Sequence, residues 1–162
     1  MSGEDDAGRA SAGFEVATGA GPLPAGSGPG REAAVQAAFE GLLQIRRLMN
    51  TAPPERAPAE WERRRPVRAV ALALEAAGVP PSATDAKGRR VATGYCVSAT
   101  DQPGIVRVEW LGPPGSGAAY AAQDELRGCV AALRRLGWEA LEYRGPRGRR
   151  YLEVEPASPP VG

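Results

Sequence analysis

Glycine and proline are distributed unevenly along this chain. The segments rich in them are the least able to fold, and the segments between them are the candidates for ordered structure. Of its 162 residues, 21 are glycine and 16 are proline. Eight of the glycines and three of the prolines fall within residues 1–30, and residues 51–60 hold three more prolines. Such stretches bury too little apolar surface to offset the entropy lost on ordering them. We therefore predict a disordered tail over 1–30, a Pro-rich linker over 51–60, a folded domain over 61–156 and a frayed tail over 157–162.

Residues 31–50 carry the pattern of an amphipathic helix between the tail and the linker. Apolar side chains recur there at spacings of three and four, which places them on one helix face. The residues of this face that could meet a partner are Val35, Phe39, Leu42, Ile45 and Met49. Arg46 and Arg47 near its end suit the negative pole of the helix dipole. The helix either packs on the domain or serves in self-association or partner binding.

The sequence pattern of residues 61–156 predicts two helices and two hairpins. A short helical turn at Trp61 precedes a helix that begins at Pro66, since proline is tolerated at the first helical position. A third helix follows the loop GPPGSG, with Ser116 as its expected N-cap. Apolar alternation and turn residues predict the strands. The predicted strands are 91–99, 104–112, 138–144 and 149–155, and the two longer helices are 66–77 and 118–136.

This order of elements, α-α-β-β-α-β-β, predicts an α+β fold. Four short antiparallel strands with helices on one face form a two-layer sandwich. The order over residues 66–155 resembles that of a ferredoxin-like fold with its first strand moved to the end. The resemblance concerns element order alone, and folds of this size host unrelated functions.

The composition excludes several kinds of catalytic and metal-binding site. The chain has no histidine, which excludes Ser-His-Asp and Cys-His catalysis and every His-ligated metal site. Cys96 and Cys129 are far apart and form no Cys-x-x-Cys motif. Cys129 falls on the apolar stripe of its helix, so we interpret it as an inert core thiol. We expect no catalytic residue, no cofactor, no metal and no enzymatic activity.

The sequence also allows a prediction of cellular localisation. The N-terminal residues are acidic and lack the basic region and apolar stretch of a signal peptide. No run of about 18 apolar residues predicts a membrane span. We expect a bacterial-type cytoplasmic protein with reduced thiols.

The last hairpin is the most distinctive surface. Its turn concentrates arginines between two tyrosines, a combination that can contact phosphates and stack on bases. The candidate nucleic-acid contacts are Tyr143, Arg144, Arg147, Arg149, Arg150 and Tyr151. The alternative is a solvated turn whose charges keep edge strands from pairing. The run Glu62 to Arg68 would extend a basic surface if it lay beside this hairpin.

The loop GPPGSG at residues 112–117 has two interpretations as well. It opens a helix, where backbone N–H groups can hold an anion. It lacks the Lys-Ser/Thr of a P-loop, which favours a flexible connector.

Two functional hypotheses follow. The first is a small non-catalytic protein-interaction module, of adaptor, chaperone-like or immunity type, in which the helix 31–50 meets a partner or a second copy. The alternative is a nucleic-acid-associated accessory protein that uses the Arg-rich C-terminal hairpin.

Overall fold

The computed structural model describes residues 14–51 and 53–158. Two single turns of 3₁₀ helix, Pro54–Arg56 and Pro146–Gly148, accompany the main elements. The helices are α1 (Arg31–Met49), α2 (Glu60–Arg64), α3 (Pro66–Ala76) and α4 (Ala118–Arg135). The strands are β1 (Ala83–Thr84), β2 (Arg90–Ala92), β3 (Gly94–Ala99), β4 (Val106–Leu111), β5 (Trp138–Arg144) and β6 (Arg150–Pro156). None of the described helices combines the length and apolar character needed to cross a membrane.

Four of the strands form one antiparallel sheet in the order β3-β4-β6-β5. The predicted α+β class and four-stranded antiparallel sheet are therefore confirmed. The stretch predicted as one strand over 91–99 is divided between β2 and β3, and β2 pairs with β1 in a separate ribbon. The pairing of β4 with β6 places the end of β4 beside the tip of the last hairpin.

One face of the sheet forms the main core together with α3 and α4. Because side chains alternate along a strand, every second residue of each strand points to this face. The helices contribute apolar residues at helical spacing, including Leu74 from α3 and Leu126 and Leu133 from α4. The sheet residues of this core are Tyr95, Val97, Val106, Val108, Trp110, Trp138, Ala140, Leu152 and Val154.

Helix α1 packs on the domain. Val35 and Leu42 are buried against Leu72 of α3 in a second apolar cluster. At the start of α1 the Arg31 guanidinium donates to both oxygens of Glu75, with Nε–Oε2 at 3.1 Å and Nη2–Oε1 at 2.8 Å. The amphipathic face of the helix is thus largely used within the chain.

The predicted linker is also fixed in place. Asn50 donates through Nδ2 to the carbonyls of Pro54 and Ala57, and Pro58 and Ala59 are buried. The guanidinium of Arg46 is buried as well and donates to the carbonyls of Glu55 and Leu136, each at 2.7 Å. Arg46 lies in the last turn of α1, as expected from the helix dipole, and it also joins α1 to the linker and to the end of α4.

The predicted disordered tail falls partly on residues 1–13, which lie outside the described residues. Residues 14–21 lie against the domain, so the tail does not extend to residue 30 as expected. Val97 of β3 donates its N–H to the Thr18 carbonyl at 2.7 Å, and the Tyr95 hydroxyl donates to the Ala17 carbonyl at 2.6 Å. Phe14 and Val16 also pack against the core clusters, but two apolar side chains are too few to form a periodic pattern.

Glycines occupy helix boundaries in the domain, at the end of α3 and at the start of α4. Gly78, with φ +90°, closes α3 in a Schellman motif, because its N–H donates to Glu75 and the Val79 N–H to Leu74. At the start of α4, Gly117 occupies the N-cap in the left-handed region, with φ +76°. Ser116 was expected there, but it lies one residue earlier, and its Oγ accepts a long bond of 3.4 Å from the Ala118 N–H.

Candidate functional site

The tip of the last hairpin is a tight turn between β5 and β6. Tyr143 pairs with Tyr151 and Arg144 with Arg150, and the chain turns through residues 145–149. Arg147 lies at the apex in the left-handed region, with φ +63°. A non-glycine residue in this conformation is strained, because its Cβ crowds the following carbonyl oxygen. The fold thus holds an exposed arginine at a position where glycine is the ordinary choice.

Strand alternation separates the aromatic and basic residues of the hairpin onto opposite faces. The Tyr143 and Tyr151 rings stack on the face turned away from the helices, with centroids 5.7 Å apart. The Arg107 guanidinium lies 4.1 Å from the Tyr151 ring centroid on the same face. Arg150 lies on the helix side and pairs with Glu142 at 2.7 Å. The structure therefore does not combine the tyrosines and the arginines into one continuous surface.

The face that carries the two tyrosines becomes acidic away from the tip. Glu139, Glu153 and Glu155 line a shallow depression of about 260 Å³ beside Leu141 and Tyr143. A nucleic-acid strand laid along this face would meet these carboxylates, which repel its phosphates. The basic end of the hairpin is thus the part suited to an anion.

The tip meets the loop GPPGSG in a cleft of about 570 Å³. Arg147, Arg149 and Arg150 form one wall, and the loop 112–117 with the first turn of α4 forms the opposite wall. The two features are distant in sequence and become neighbours because β4 pairs with β6. One acid, Glu109, also lines the cleft. Among the described residues, Arg147 and Arg149 have no carboxylate within 4 Å.

The opposite wall presents unused backbone donors. Within the described residues, the N–H groups of Gly115, Gly117 and Ala119 donate to no protein acceptor. They lie at the N-terminus of an 18-residue helix, where the aligned peptide dipoles add partial positive charge. The first turn of α4 contains no acidic residue, whereas α1 and α2 each begin with one or two glutamates. The first turn of α4 therefore supplies no carboxylate of its own to offset this partial charge.

Two aromatic residues in the cleft were not identified as site residues from the sequence. Trp110 lies in its wall, is 8% exposed, and its indole N–H has no acceptor among the described residues. Tyr120 stands at the mouth on the first turn of α4 and is 96% exposed. A signal for Tyr120 was available, since a large aromatic ring off the apolar stripe of a helix has no packing role.

The second basic cluster lies at the other end of the sheet. Arg63, Arg64 and Arg65 line a cleft of about 530 Å³ with the turn between β3 and β4. That turn lies beyond Ala99 and Val106, whereas the hairpin tip lies beyond the Leu111 end of β4. Residues 62–68 therefore do not extend the basic surface of the hairpin.

The candidate partner residues of α1 divide into two groups. Val35 and Leu42 are buried, and Phe39 is partly buried against both core clusters. Ile45 and Met49 are 39% and 69% exposed. Leu48, which the sequence did not single out, is 82% exposed beside them. The last turns of the helix thus carry an exposed apolar patch, which we define as Ile45, Leu48 and Met49.

The two cysteines are free and buried. Burial raises the pKa of Cys129 to about 12, with a smaller contribution from Glu125. Burial also raises the pKa of Cys96, although the nearby Arg90 opposes the shift. Neither thiol forms an appreciable thiolate near neutral pH, which agrees with the interpretation of Cys129 as a core residue.

Comparison with known proteins adds no relative to this description. No protein-family model, no curated protein and no solved structure matches the chain. The interpretation of the site therefore depends on its own geometry.

Proposed function

We propose that this protein is a non-catalytic, nucleic-acid-associated accessory protein that contacts backbone phosphates with the tip of its last hairpin. The observation that carries the proposal is the convergence of Arg147, Arg149 and Arg150 on the N-terminus of α4 in one cleft. Guanidinium groups and helix N-termini are the two protein features that bind phosphate oxygens most directly.

Charge distribution sets the expected strength of binding. The formal net charge is only +1, and Glu142 neutralises part of the field of Arg150. Attraction is therefore local to the tip rather than spread over the protein. Three phosphate contacts correspond to a slope of roughly −2 to −3 in a plot of log affinity against log salt concentration. We expect weak binding that is lost quickly as salt rises.

The test is a titration of fluorescently labelled single-stranded and duplex DNA at several salt concentrations. The variant Arg147→Ala/Arg149→Ala/Arg150→Ala should lower affinity at least tenfold and flatten the salt slope. The matched control is Arg63→Ala/Arg64→Ala/Arg65→Ala, which removes the same charge at the opposite end of the sheet. Equal loss in both variants, or no binding by the unmodified protein at low salt, contradicts the proposal.

A second candidate function rests on the exposed apolar patch of α1. Ile45, Leu48 and Met49 lie at i, i+3 and i+4, the spacing by which helices pair with one another. In this candidate the patch mediates self-association as part of a protein-interaction module. This candidate keeps the hypothesis of a protein-interaction module but does not use Val35 and Leu42, because both are buried.

Sedimentation velocity over a wide concentration range tests this second candidate. The unmodified protein should sediment as a dimer at high concentration, and Leu48→Glu should keep it monomeric. Val91→Glu is the control, because Val91 is 55% exposed on β2 and lies outside the patch. A monomer at every concentration contradicts self-association through α1.

A further inference from the structure

We propose that the cleft between the hairpin tip and the start of α4 takes a terminal 5′-phosphate together with the nucleotide that carries it. This inference rests on the proposed association with nucleic acid and specifies which part of a strand the protein recognises. The cleft volume of about 570 Å³ falls within the range of small-molecule sites, roughly 300–1,000 Å³. A bounded cleft of this size suits the end of a strand better than a continuous duplex.

The donors in the cleft match a phosphate monoester. The backbone N–H groups of Gly115, Gly117 and Ala119 face no protein acceptor within the described residues. Arg147 and Arg149 supply guanidinium donors from the opposite wall. A monoester presents three terminal oxygens and a charge of about −1.5 to −2 near neutral pH. A diester within a strand carries a single charge and two such oxygens, so it leaves more of these donors without a partner.

Trp110 belongs to the main core and also contributes to the cleft wall. Its side chain is more than nine-tenths buried in the cleft wall, and its indole N–H has no acceptor among the described residues. A buried donor without a partner costs free energy. The indole nitrogen is itself buried, as are those of Trp61 and Trp138, which also lack a partner in the described part of the chain, so we assign it no role in binding a ligand. The carboxylate of Glu109, which also lines the cleft, weakens the attraction for an anion but leaves the two unpaired arginines opposite it.

Tyr120 supplies a surface for the base. It stands on the first turn of α4 at the mouth of the cleft with 96% of its side chain exposed. Stacking of a base on an aromatic ring stabilises single-stranded nucleic acid and tolerates any base sequence. A phosphate at the start of α4 places the attached nucleotide next to this ring. The cleft thus combines a phosphate-binding end with a stacking platform.

The experiment compares two single-stranded oligonucleotides of one sequence, with a 5′-phosphate or a 5′-hydroxyl, by fluorescence anisotropy at low salt. We expect the phosphorylated strand to bind at least tenfold more tightly. A nucleoside 5′-monophosphate should compete for the site better than inorganic phosphate, since only the nucleotide carries a base. Tyr120→Ala should remove that difference between the two competitors.

Ala119 offers a variant that separates binding from folding. Ala119→Glu places an acid in the first turn of α4, which favours the helix through its dipole but repels a phosphate. Ala119→Gln is the neutral control of the same size. We expect Ala119→Glu to abolish the preference for the 5′-phosphate, and Ala119→Gln to retain it, with both variants folded by circular dichroism.

The outcomes distinguish this inference from the function on which it rests. Equal affinity for the two oligonucleotides overturns the terminal-phosphate inference and leaves nucleic-acid association standing. Equal competition by nucleotide and inorganic phosphate overturns the stacking role of Tyr120. Binding of neither oligonucleotide at low salt overturns both proposals.

Discussion

Arg46 of α1 and Glu62 of α2 face each other inside the protein as a two-pronged ion pair. Nε and Nη2 of the arginine lie 2.8 and 2.7 Å from the two carboxylate oxygens, and both side chains are 1% exposed. Glu62 also accepts the Ala59 N–H at 2.8 Å. With the Arg46 bonds to the Glu55 and Leu136 carbonyls, every charge in this cluster has a partner.

Removing one member of the pair should be strongly destabilising. Glu62→Ala leaves a buried guanidinium without its counter-charge, and the expected loss in the free energy of unfolding is about 3–5 kcal/mol. Urea denaturation measures it. The double variant Arg46→Met/Glu62→Leu should recover part of the loss, because no uncompensated charge remains. A single-variant loss below about 1 kcal/mol would show that the pair is not buried in solution.

Two glycines associated with α4 should respond to alanine in opposite directions. Gly128 lies in the middle of the helix with open space around its missing side chain, so Gly128→Ala should stabilise the protein by up to about 1 kcal/mol. Gly137 has φ +83°, and a Cβ there would overlap the Arg56 carbonyl. Gly137→Ala should lower the melting temperature by several degrees. Thermal unfolding of the two variants checks both signs, and equal shifts would contradict the packing of the linker on this turn.

The N-terminal segment should loosen when Tyr95 loses its hydroxyl. That hydroxyl donates to the carbonyls of Ala17 and Ala71, at 2.6 and 3.2 Å. Tyr95→Phe leaves the Ala17 carbonyl without this donor, whereas the Ala71 carbonyl keeps its bond within α3, and the expected cost is about 1–3 kcal/mol. Hydrogen exchange should show faster exchange at Val97, whose N–H is bonded to Thr18, than at core amides of β4. Unchanged protection at Val97 would mean that the segment is held by other contacts.

Stability should fall in mildly alkaline solution because of the buried thiols. Burial raises the pKa of Cys129 to about 12, so the folded state keeps the thiol protonated where the unfolded chain ionises it. Its contribution to stability is therefore full below about pH 8.5 and is lost progressively as pH rises toward 12. Denaturation midpoints at pH 7.5 and 10 measure the effect. Cys129→Ala should reduce the difference between the two midpoints, and an unchanged difference would assign it to other groups.

Periodicity in the sequence was sufficient to predict the helices, both hairpins and the α+β class. The bounds of α1 and β5 agree with those predicted, because their apolar spacing reflects one buried face. Residues 14–21 were not recognised, since their contacts combine backbone hydrogen bonds with the packing of Phe14, Val16 and Ala17, which are too few apolar residues to form a periodic pattern. The burial of Arg46 also escaped prediction, because it depends on a glutamate from another helix.

The two parts of the candidate site were predicted from the sequence, but their proximity was not. The arginine turn and the loop 112–117 were each identified from the sequence, but their meeting depends on the pairing of β4 with β6, which periodicity does not reveal. The same alternation that predicted the strands places Tyr143 and Arg144 on opposite faces. Sequence adjacency had suggested a single mixed surface.

The bond from Arg46 to the carbonyl of Leu136 spans 90 positions of the chain. On the ribosome, α1 emerges before the end of α4 is synthesised, so its arginine lacks this acceptor until residue 136 has been added. Helix α1 therefore completes its packing only after the end of α4 has been synthesised. A nascent chain stopped before residue 136 should remain open to proteases at α1, and a chain extended past β6 should be protected there.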